Sequence, residues 1–349
     1  MSHFHSLAVK KVVKETPNAV SIEFIIPENL KETFTFLAGQ YITIKHTLNG
    51  AEIRRAYSIC SAPKKELLKV GVKKVEGGSF SVFANTELKE GDVLEVMPPQ
   101  GKFVLNPDSN HKKKYVSFAA GSGITPVISI LTTVLEEEPQ STFLLVYGNK
   151  SVSETMFYNE LKDLEEKYPD RFSLEYVFSQ TDKDGAIFGR VSKANANYFL
   201  KNKYKEENFD TFYLCGPETM INEVTDTLKE NGVQENQINF ELFTTSESET
   251  PVDVASGMTK ITVIVDDESI SFDMSQKKLV LDAVLEQKID APYSCQGGVC
   301  STCIAKVVEG KVTMVKNQIL TDSELEEGLV LTCQSHAITP TLVIDYDDV

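Results

Sequence analysis

Histidine is scarce in this chain. Its 349 residues hold five, at positions 3, 5, 46, 111 and 336, and none keeps company with an acid or nucleophile in a catalytic pattern. Hydrolytic chemistry therefore has no support. Basic residues are also few: 35 Lys and Arg stand against 51 Asp and Glu, a net charge of −16 with pI ≈ 4.9. Sequence-independent nucleic-acid binding and attachment to an anionic membrane both depend on cations, so neither is expected. The first twenty residues offer no apolar core for a signal peptide. The uncharged stretch from Tyr115 to Leu135 contains Gly121, Gly123, Pro126 and six Ser/Thr, which reads as strand, turn and helix rather than a membrane span. The expectation is a cytoplasmic protein with no nucleic-acid or membrane partner. Internal repeats and low-complexity tracts are lacking too. What remains, 41% hydrophobic and 25% charged over 349 residues, is a globular composition long enough for two to three domains.

Three styles of sequence follow one another. Residues 5–103 read as short strands, among them Ser21–Pro27, Gln40–His46, Ile53–Cys60, Leu67–Lys74 and Asp92–Met97, with a helical patch near Ser81–Leu88. Close spacing of short strands suggests an antiparallel barrel. After Asn106, apolar runs (Tyr115–Ala120, Phe143–Tyr147, Leu174–Phe178, Thr211–Leu214, Ile238–Phe243) alternate with helical segments (Pro126–Glu138, Thr155–Lys167, Glu218–Asn231). That alternation predicts a parallel sheet with helices on both faces. A polar stretch, Ser246–Gly257, reads as a linker. Beyond it, Ile261, Val263 and Val265, then Asp266-Asp267, then Ile270 and Phe272 predict a hairpin. A helix over Lys278–Ile289 and a capping box at Thr321-x-x-Glu324 complete the pattern. The expected division is 1–105, 106–245, a linker at 246–257, and 258–349.

Four of the six cysteines fall within 39 residues, as Cys295-x4-Cys300-x2-Cys303 and then, after 29 intervening residues, Cys333. Four thiolates at this spacing suit a plant-type [2Fe–2S] cluster. Gln296-Gly297-Gly298-Val299 lets the backbone wrap closely and turn its N–H groups toward sulfur. Zinc is the alternative, although only Cys300 and Cys303 form a zinc-type knuckle. A Rieske centre needs two histidines, and His336 is alone in this segment. Over 258–349 the sequence, with Tyr293-Ser294-Cys295 leading into the loop, resembles the plant-type ferredoxin domain.

In the middle of the chain, Ala120-Gly121-Ser122-Gly123-Ile124-Thr125-Pro126 follows an apolar strand and opens a helix. Such a turn suits a pyrophosphate, with N–H groups at the helix's positive end, and taken alone it equally fits a plain strand–turn–helix junction. It is not the usual dinucleotide fingerprint, because Pro126 stands at the third glycine position. The second strand ends Tyr147-Gly148-Asn149-Lys150-Ser151, with no carboxylate for a ribose diol. Lys150 and Ser151 could instead meet a 2′-phosphate, which favours NADPH over NADH.

Two further stretches, Arg54-Arg55-Ala56-Tyr57-Ser58 and Leu214-Cys215-Gly216-Pro217 with Met220, extend the pattern. With Gly78-x-x-Ser81 between them, residues 5–243 resemble the ferredoxin–NADP reductase family. Together with the C-terminal segment, the order resembles the reductase components of multicomponent oxygenases. The stretches Phe4–Leu7, Val75–Ser81, Pro99–Phe103 and Gly297–Cys300 carry that likeness as well.

The resemblance implies an NAD(P)H-dependent flavin iron–sulfur oxidoreductase that passes electrons through FAD and a [2Fe–2S] cluster to a di-iron oxygenase component. It implies a multidomain fold: an antiparallel flavin-binding β-barrel, an α/β nicotinamide-binding domain with a parallel sheet, and an α+β, β-grasp-like ferredoxin domain. Arg55 would pair with the flavin phosphates, Tyr57 would lie on the isoalloxazine ring, and Ser58 would hydrogen-bond its N5. Ala56, Val72, Lys73, Gly78, Ser79, Phe80 and Ser81 would complete the flavin site. Gly121, Ser122, Gly123, Thr125, Pro126, Gly148, Asn149, Lys150, Ser151, Cys215, Gly216 and Pro217 would hold the nucleotide. Ser58, Cys215 and Phe243 would stand at the reacting centre, with Glu241 close by. Arg forks do match phosphates, and aromatic faces do stack on flat rings. Plainer readings stay open: Tyr57 as a strand residue, Cys215 as small core filling, Phe243 as an aromatic with no part in the site, Cys60 as a buried thiol without a role. So do two other functions, a reductase serving a steroid or aromatic-ring hydroxylase and a non-enzymatic cluster- or zinc-bearing binding module.

Overall fold

The structure, a computed structural model, describes residues 4–48, 50–243 and 256–349. It divides into two compact units, one made of His5–Ile53 and Tyr57–Phe243, the other containing the C-terminal residues. All but the last two residues of the expected linker, 246–257, lie outside the described residues.

The first sheet is antiparallel. Its strands are β1 (His5–Thr16), β2 (Ala19–Ile25), β3 (Tyr41–Leu48), β4 (Ala51–Ser58), β5 (Leu68–Lys73) and β6 (Val93–Val96), in the order β4-β3-β6-β1-β2-β5. A bridge between Ile59 and Val70, with Cys60 N–H donating to Lys69 O at 2.8 Å, ties the two edges together. The sheet thereby closes into a barrel and loses its free edges. Alternate residues such as Leu7, Val9, Ile22, Ile42, Val70 and Val96 fill its core, and α1 (Phe80–Thr86) adds Phe80 and Ala84. At twelve residues β1 is not the short strand expected of this region. It pairs with both β2 and β6, and irregularities at Val9/Lys11 and Lys14/Thr16 let it bend with the barrel.

The second sheet is parallel throughout: β7 (Lys114–Ala120), β8 (Thr142–Asn149), β9 (Phe172–Phe178), β10 (Ile187–Phe188), β11 (Thr211–Gly216) and β12 (Ile238–Leu242), ordered β10-β9-β8-β7-β11-β12. Helices α2 (Ile124–Glu137), α3 (Tyr158–Lys167), α4 (Lys193–Tyr198) and α5 (Glu218–Glu230) connect the strands. From Ile124 to Leu135 every residue of α2 is buried, which accounts for the uncharged stretch. Strand order reverses at β7, flanked by β8 on one side and β11 on the other. The crevice past the carboxyl ends of β7 and β11 is therefore where such a sheet takes a ligand. The expected strands and helices of this region are present within a few residues. Sequence pattern missed β10, which is only two residues long, and α4, which is short and polar, so neither shows a period.

The C-terminal unit holds β13 (Met258–Val265), β14 (Glu268–Ser275), α6 (Val280–Glu286), β15 (Ile304–Glu309), β16 (Val312–Met314), α7 (Asp322–Glu326), β17 (Leu329–Leu331), β18 (Ser335–Ala337) and β19 (Thr341–Asp345). Five strands form a mixed sheet, β14-β13-β19-β15-β17, in which β13 and β19 run parallel; β16 and β18 pair separately. At the hairpin turn Asp266 and Asp267 take φ of 55° and 60°, the two left-handed residues a tight hairpin needs. Their N–H groups donate to Asp347 Oδ1 and Oδ2 at 3.0 and 2.9 Å. The capping box forms as expected, Glu324 N–H donating to Thr321 Oγ1 at 3.3 Å and Thr321 N–H to Glu324 Oε2 at 2.8 Å. No helix among the described residues is long and apolar enough to cross a membrane.

Candidate functional site

The cysteine loop runs between α6 and β15, and Cys333 lies in the turn between β17 and β18. Cys300, Cys303 and Cys333 are buried and Cys295 partly so. Their thiols meet as two pairs, Cys295 with Cys300 and Cys303 with Cys333. Among the described residues no three His, Cys, Asp or Glu converge as they would around a single ion. Two thiol pairs fit two irons, each taking two protein sulfurs, better than one tetrahedral zinc. The Cys300 thiol and the N–H groups of Gly297, Val299 and Cys300 hold Cys295 below the ordinary thiol value despite burial. Gln296 and Gly298 take φ of 53° and 73°, which turns those N–H groups inward, and Gly297 N–H donates to Cys295 Sγ at 3.3 Å. A Cβ on Gly298 would come within 2.9 Å of Gln334 Cγ. Gln334 Nε2 in turn donates to Gln296 O at 3.2 Å and Cys333 O at 2.8 Å, joining the two ligand-bearing loops. His336 is no ligand here: its Nδ1 sits 3.0 Å from Gln276 O.

The larger unit brings together residues far apart in sequence. The glycine turn, Gly121–Gly123, closes β7 and leads straight into α2. Gly121 has φ of 56°, and a Cβ on Gly123 would lie 2.0 Å from Cys215 O, so only glycine fits against the end of β11. Thr125 Oγ1 donates to Ser122 O at 3.0 Å, and Tyr147 Oη to Gly121 O at 2.9 Å, which fix the turn. Cys215 lies between Ala119 of β7 and Glu241 of β12 in register. Across from it, at the end of β4, Ser58 Oγ donates to Glu241 Oε2 at 2.9 Å. Burial pushes the Glu241 carboxyl up to about 8, partly offset by the Ser58 hydrogen bond. Burial, with the Glu241 charge beside it, raises the Cys215 thiol well above its usual range. Ser58, Glu241, Cys215 and the glycine turn thus sit around the switch-point crevice, with half-buried Phe243 packed on the adjoining core.

Buried polar atoms without partners show where a ligand could be held. Ser79 Oγ, at the start of α1, is one such atom. Ser81 Oγ braces the loop before α1 by accepting from Val75 N–H at 3.2 Å. A Cβ on Gly121 would stand 3.5 Å from Lys73 Nζ, so a lysine from the barrel reaches the glycine turn. Burial lowers the pKa of Lys73, a shift that an anionic ligand beside it would oppose. Arg55 is exposed and donates to Arg54 O at 2.7 Å, whereas Arg54 is 8% exposed. Tyr57 lies 5.5 Å from Phe80, ring to ring, at one edge of the barrel core. Within the larger unit, Ser58, Lys73, Ser79, the glycine turn and Cys215 fit a flavin and a nicotinamide nucleotide. The Ser58–Glu241 bond, spanning 183 positions, has no local sequence signal.

Comparison with known proteins agrees. Three family descriptions match in series: "Oxidoreductase FAD-binding domain" over residues 6–105, "Oxidoreductase NAD-binding domain" over 118–226, and "2Fe-2S iron-sulfur cluster binding domain" over 263–337. The chain is 40% identical over 352 aligned residues to a component polypeptide of 1,2-phenylacetyl-CoA epoxidase from Escherichia coli K12, covering 99% of both. It is 32% identical to the ferredoxin reductase component of 3-ketosteroid-9-alpha-monooxygenase from Rhodococcus rhodochrous, covering 97% and 96%. Among solved structures, phthalate dioxygenase reductase shares the fold with TM-score 0.61 at 21% identity, over 98% of each chain.

Proposed function

The chain belongs to the family of flavin- and nicotinamide-binding reductases with a C-terminal 2Fe-2S domain that includes this 1,2-phenylacetyl-CoA epoxidase component, and from that premise we propose that it delivers electrons from NAD(P)H to the di-iron oxygenase component of such an epoxidase. The whole-length identity of 40% carries the choice of acceptor. Purified chain reducing a purified di-iron epoxidase component with NAD(P)H is the test. Efficient transfer to a steroid or aromatic-ring hydroxylase instead, with none to the epoxidase, would favour the second reading, which the 32% relative supports.

When bound, the flavin takes a hydride's two electrons and the cluster passes them on singly. The protein's part is position and proton control. The turn at Gly121–Gly123 would receive the nucleotide's pyrophosphate, with Lys73 reaching it from the flavin site, and Thr125 and Cys215 would border the nicotinamide. Glu241 decides where the single proton of the Ser58 hydroxyl points. Ionised, it accepts a hydrogen bond from that O–H; protonated, it donates to Ser58 Oγ and leaves the O–H free to face the flavin. Flavin reduction at saturating nucleotide should therefore be fastest below the Glu241 value of about 8 and fall above it. Stopped-flow rates across that range check this, and a Glu241→Gln chain that keeps the same inflection would assign it to another group.

Arg55→Ala should weaken FAD retention by about 1.5–3 kcal/mol, the worth of a charge-assisted hydrogen bond, or roughly ten- to hundredfold. Flavin content after dilution measures it; full retention would shift the role to Arg54. Lys150 and Ser151 at the end of β8 favour a 2′-phosphate, so kcat/KM should be higher with NADPH than with NADH. Lys150→Ala should narrow that gap, and equal efficiency in the unaltered chain would remove the assignment.

A further inference from the structure

Within the larger unit, the segment from Glu154 to Glu160 follows directly on Gly148–Ser151, the strand end proposed to hold the nucleotide. Barrel side chains grip this segment at three points. Asn18 Nδ2 donates to Glu154 Oε1 at 3.2 Å. The Phe157 N–H donates to the carboxylate of Glu15, which also accepts from Ser21 Oγ at 2.7 Å. Lys69 Nζ lies 3.1 Å from Glu160 Oε2 and 5.2 Å from the centre of the Phe157 ring, its side chain only 17% exposed. Phe157 is buried and takes φ of 57°, a left-handed conformation a bulky side chain rarely adopts without external hold.

The grip closes on Gly71 of β5. A Cβ there would lie 2.6 Å from Thr125 Cγ2, 3.0 Å from Met156 Cε and 3.3 Å from the Phe157 ring. The barrel strand that carries Val72 and Lys73 thus touches both the glycine turn's helix and the 154–160 segment, with no room for one more methyl group. Below it, Cys60 Sγ donates to Lys69 O at 3.3 Å, so this buried thiol sits under the same seam.

We propose that this seam is a spacing gauge. Gly71, with Lys69 and Glu15 holding the 154–160 segment against β5, sets how closely the nicotinamide approaches the flavin, and Lys69 and Glu15 are positioning residues for hydride transfer. This rests on the flavin and nucleotide sites proposed above. Transfer between two held rings is steeply sensitive to their separation, and a displacement of about 1 Å can cost roughly a hundredfold.

The test is stopped-flow flavin reduction of the FAD-loaded full chain by NADPH and NADH, with Gly71→Ala, Lys69→Met and Lys69→Arg. Gly71→Ala should lower the limiting rate about tenfold or more, with nucleotide Kd within about threefold and an altered primary deuterium isotope effect. Lys69→Met should lower the rate about three- to tenfold, while Lys69→Arg keeps it. If Gly71→Ala does not fold, the two Lys69 variants decide alone. Unchanged limiting rates, losses that appear only as weaker nucleotide binding or lower melting temperature, or a Lys69→Arg chain as slow as Lys69→Met would overturn the proposal. An unaltered chain that takes up FAD but is reduced by neither nucleotide would overturn the underlying site assignment, and the gauge with it.

Discussion

Serine in place of Cys295, Cys300, Cys303 or Cys333 will reduce electron delivery to an oxygenase component to background, while flavin reduction by NAD(P)H stays within about twofold of the unaltered chain. The reasoning is modular. Each cysteine belongs to a pair of thiols, and losing one leaves an iron with a single protein sulfur. The residues proposed to position flavin and nucleotide at the reacting centre, Ser58, Cys215 and Glu241, belong to the other compact unit with its own core. Stopped-flow absorbance of the flavin and a coupled acceptor assay read the two halves separately. Flavin reduction lost along with delivery, in a variant of unchanged melting temperature and FAD content, would argue against a relay of independent modules.

Salt provides the second large effect. Residues 258–349 contain seven lysines, no arginine and fifteen acidic residues. Asp322, Glu326 and Glu327 are exposed on and after α7. A second acidic corner is built by folding: Asp347 holds the turn at Asp266 and Asp267, so Asp266–Glu268 and Asp345–Asp348 share one place. Lys306 is the lysine that pairs with Asp348 there, at 2.6 Å. Docking on a basic partner surface would be steered by this charge, a contribution worth roughly ten- to a thousandfold in encounter rate. Raising ionic strength, which screens exposed charges beyond about 8 Å at 0.15 M, should slow delivery to the oxygenase about tenfold or more. Flavin reduction by nucleotide should change far less. Delivery that stays flat from low to high salt would mean the acidic corners serve solubility alone.

The cluster loop could be read from sequence because its ligands lie close together and their spacing is itself the chemistry. The glycine turn was legible for the same reason, as were the hairpin at Asp266-Asp267 and the capping box at Thr321 and Glu324. Ser58 with Glu241, and Lys69 with Glu160, were not. Each pair is made by elements that meet only after separate sheets have formed, and nothing in the local pattern of either residue announces a partner 183 or 91 positions away. Gly71 shows the same limit from the other side. In sequence it is a glycine inside an apolar strand, and only the Thr125 methyl and the Phe157 ring beside it explain why no side chain is allowed there.

The parallel pairing of β13 with β19 has a consequence for biosynthesis. Lys260 lies opposite Thr341 and Ile264 opposite Asp345, so the central strand pair of the C-terminal unit joins positions roughly eighty residues apart. No stable version of that sheet can assemble on the ribosome until nearly all of it has emerged, and Cys333 emerges late as well. The strands and helices of the larger unit, by contrast, are complete by Leu242. Domains fold as units in the order they are made. A nascent chain would thus complete the strands and helices of its hydride-accepting half before Cys333 has emerged, so its one-electron outlet can be built only after them.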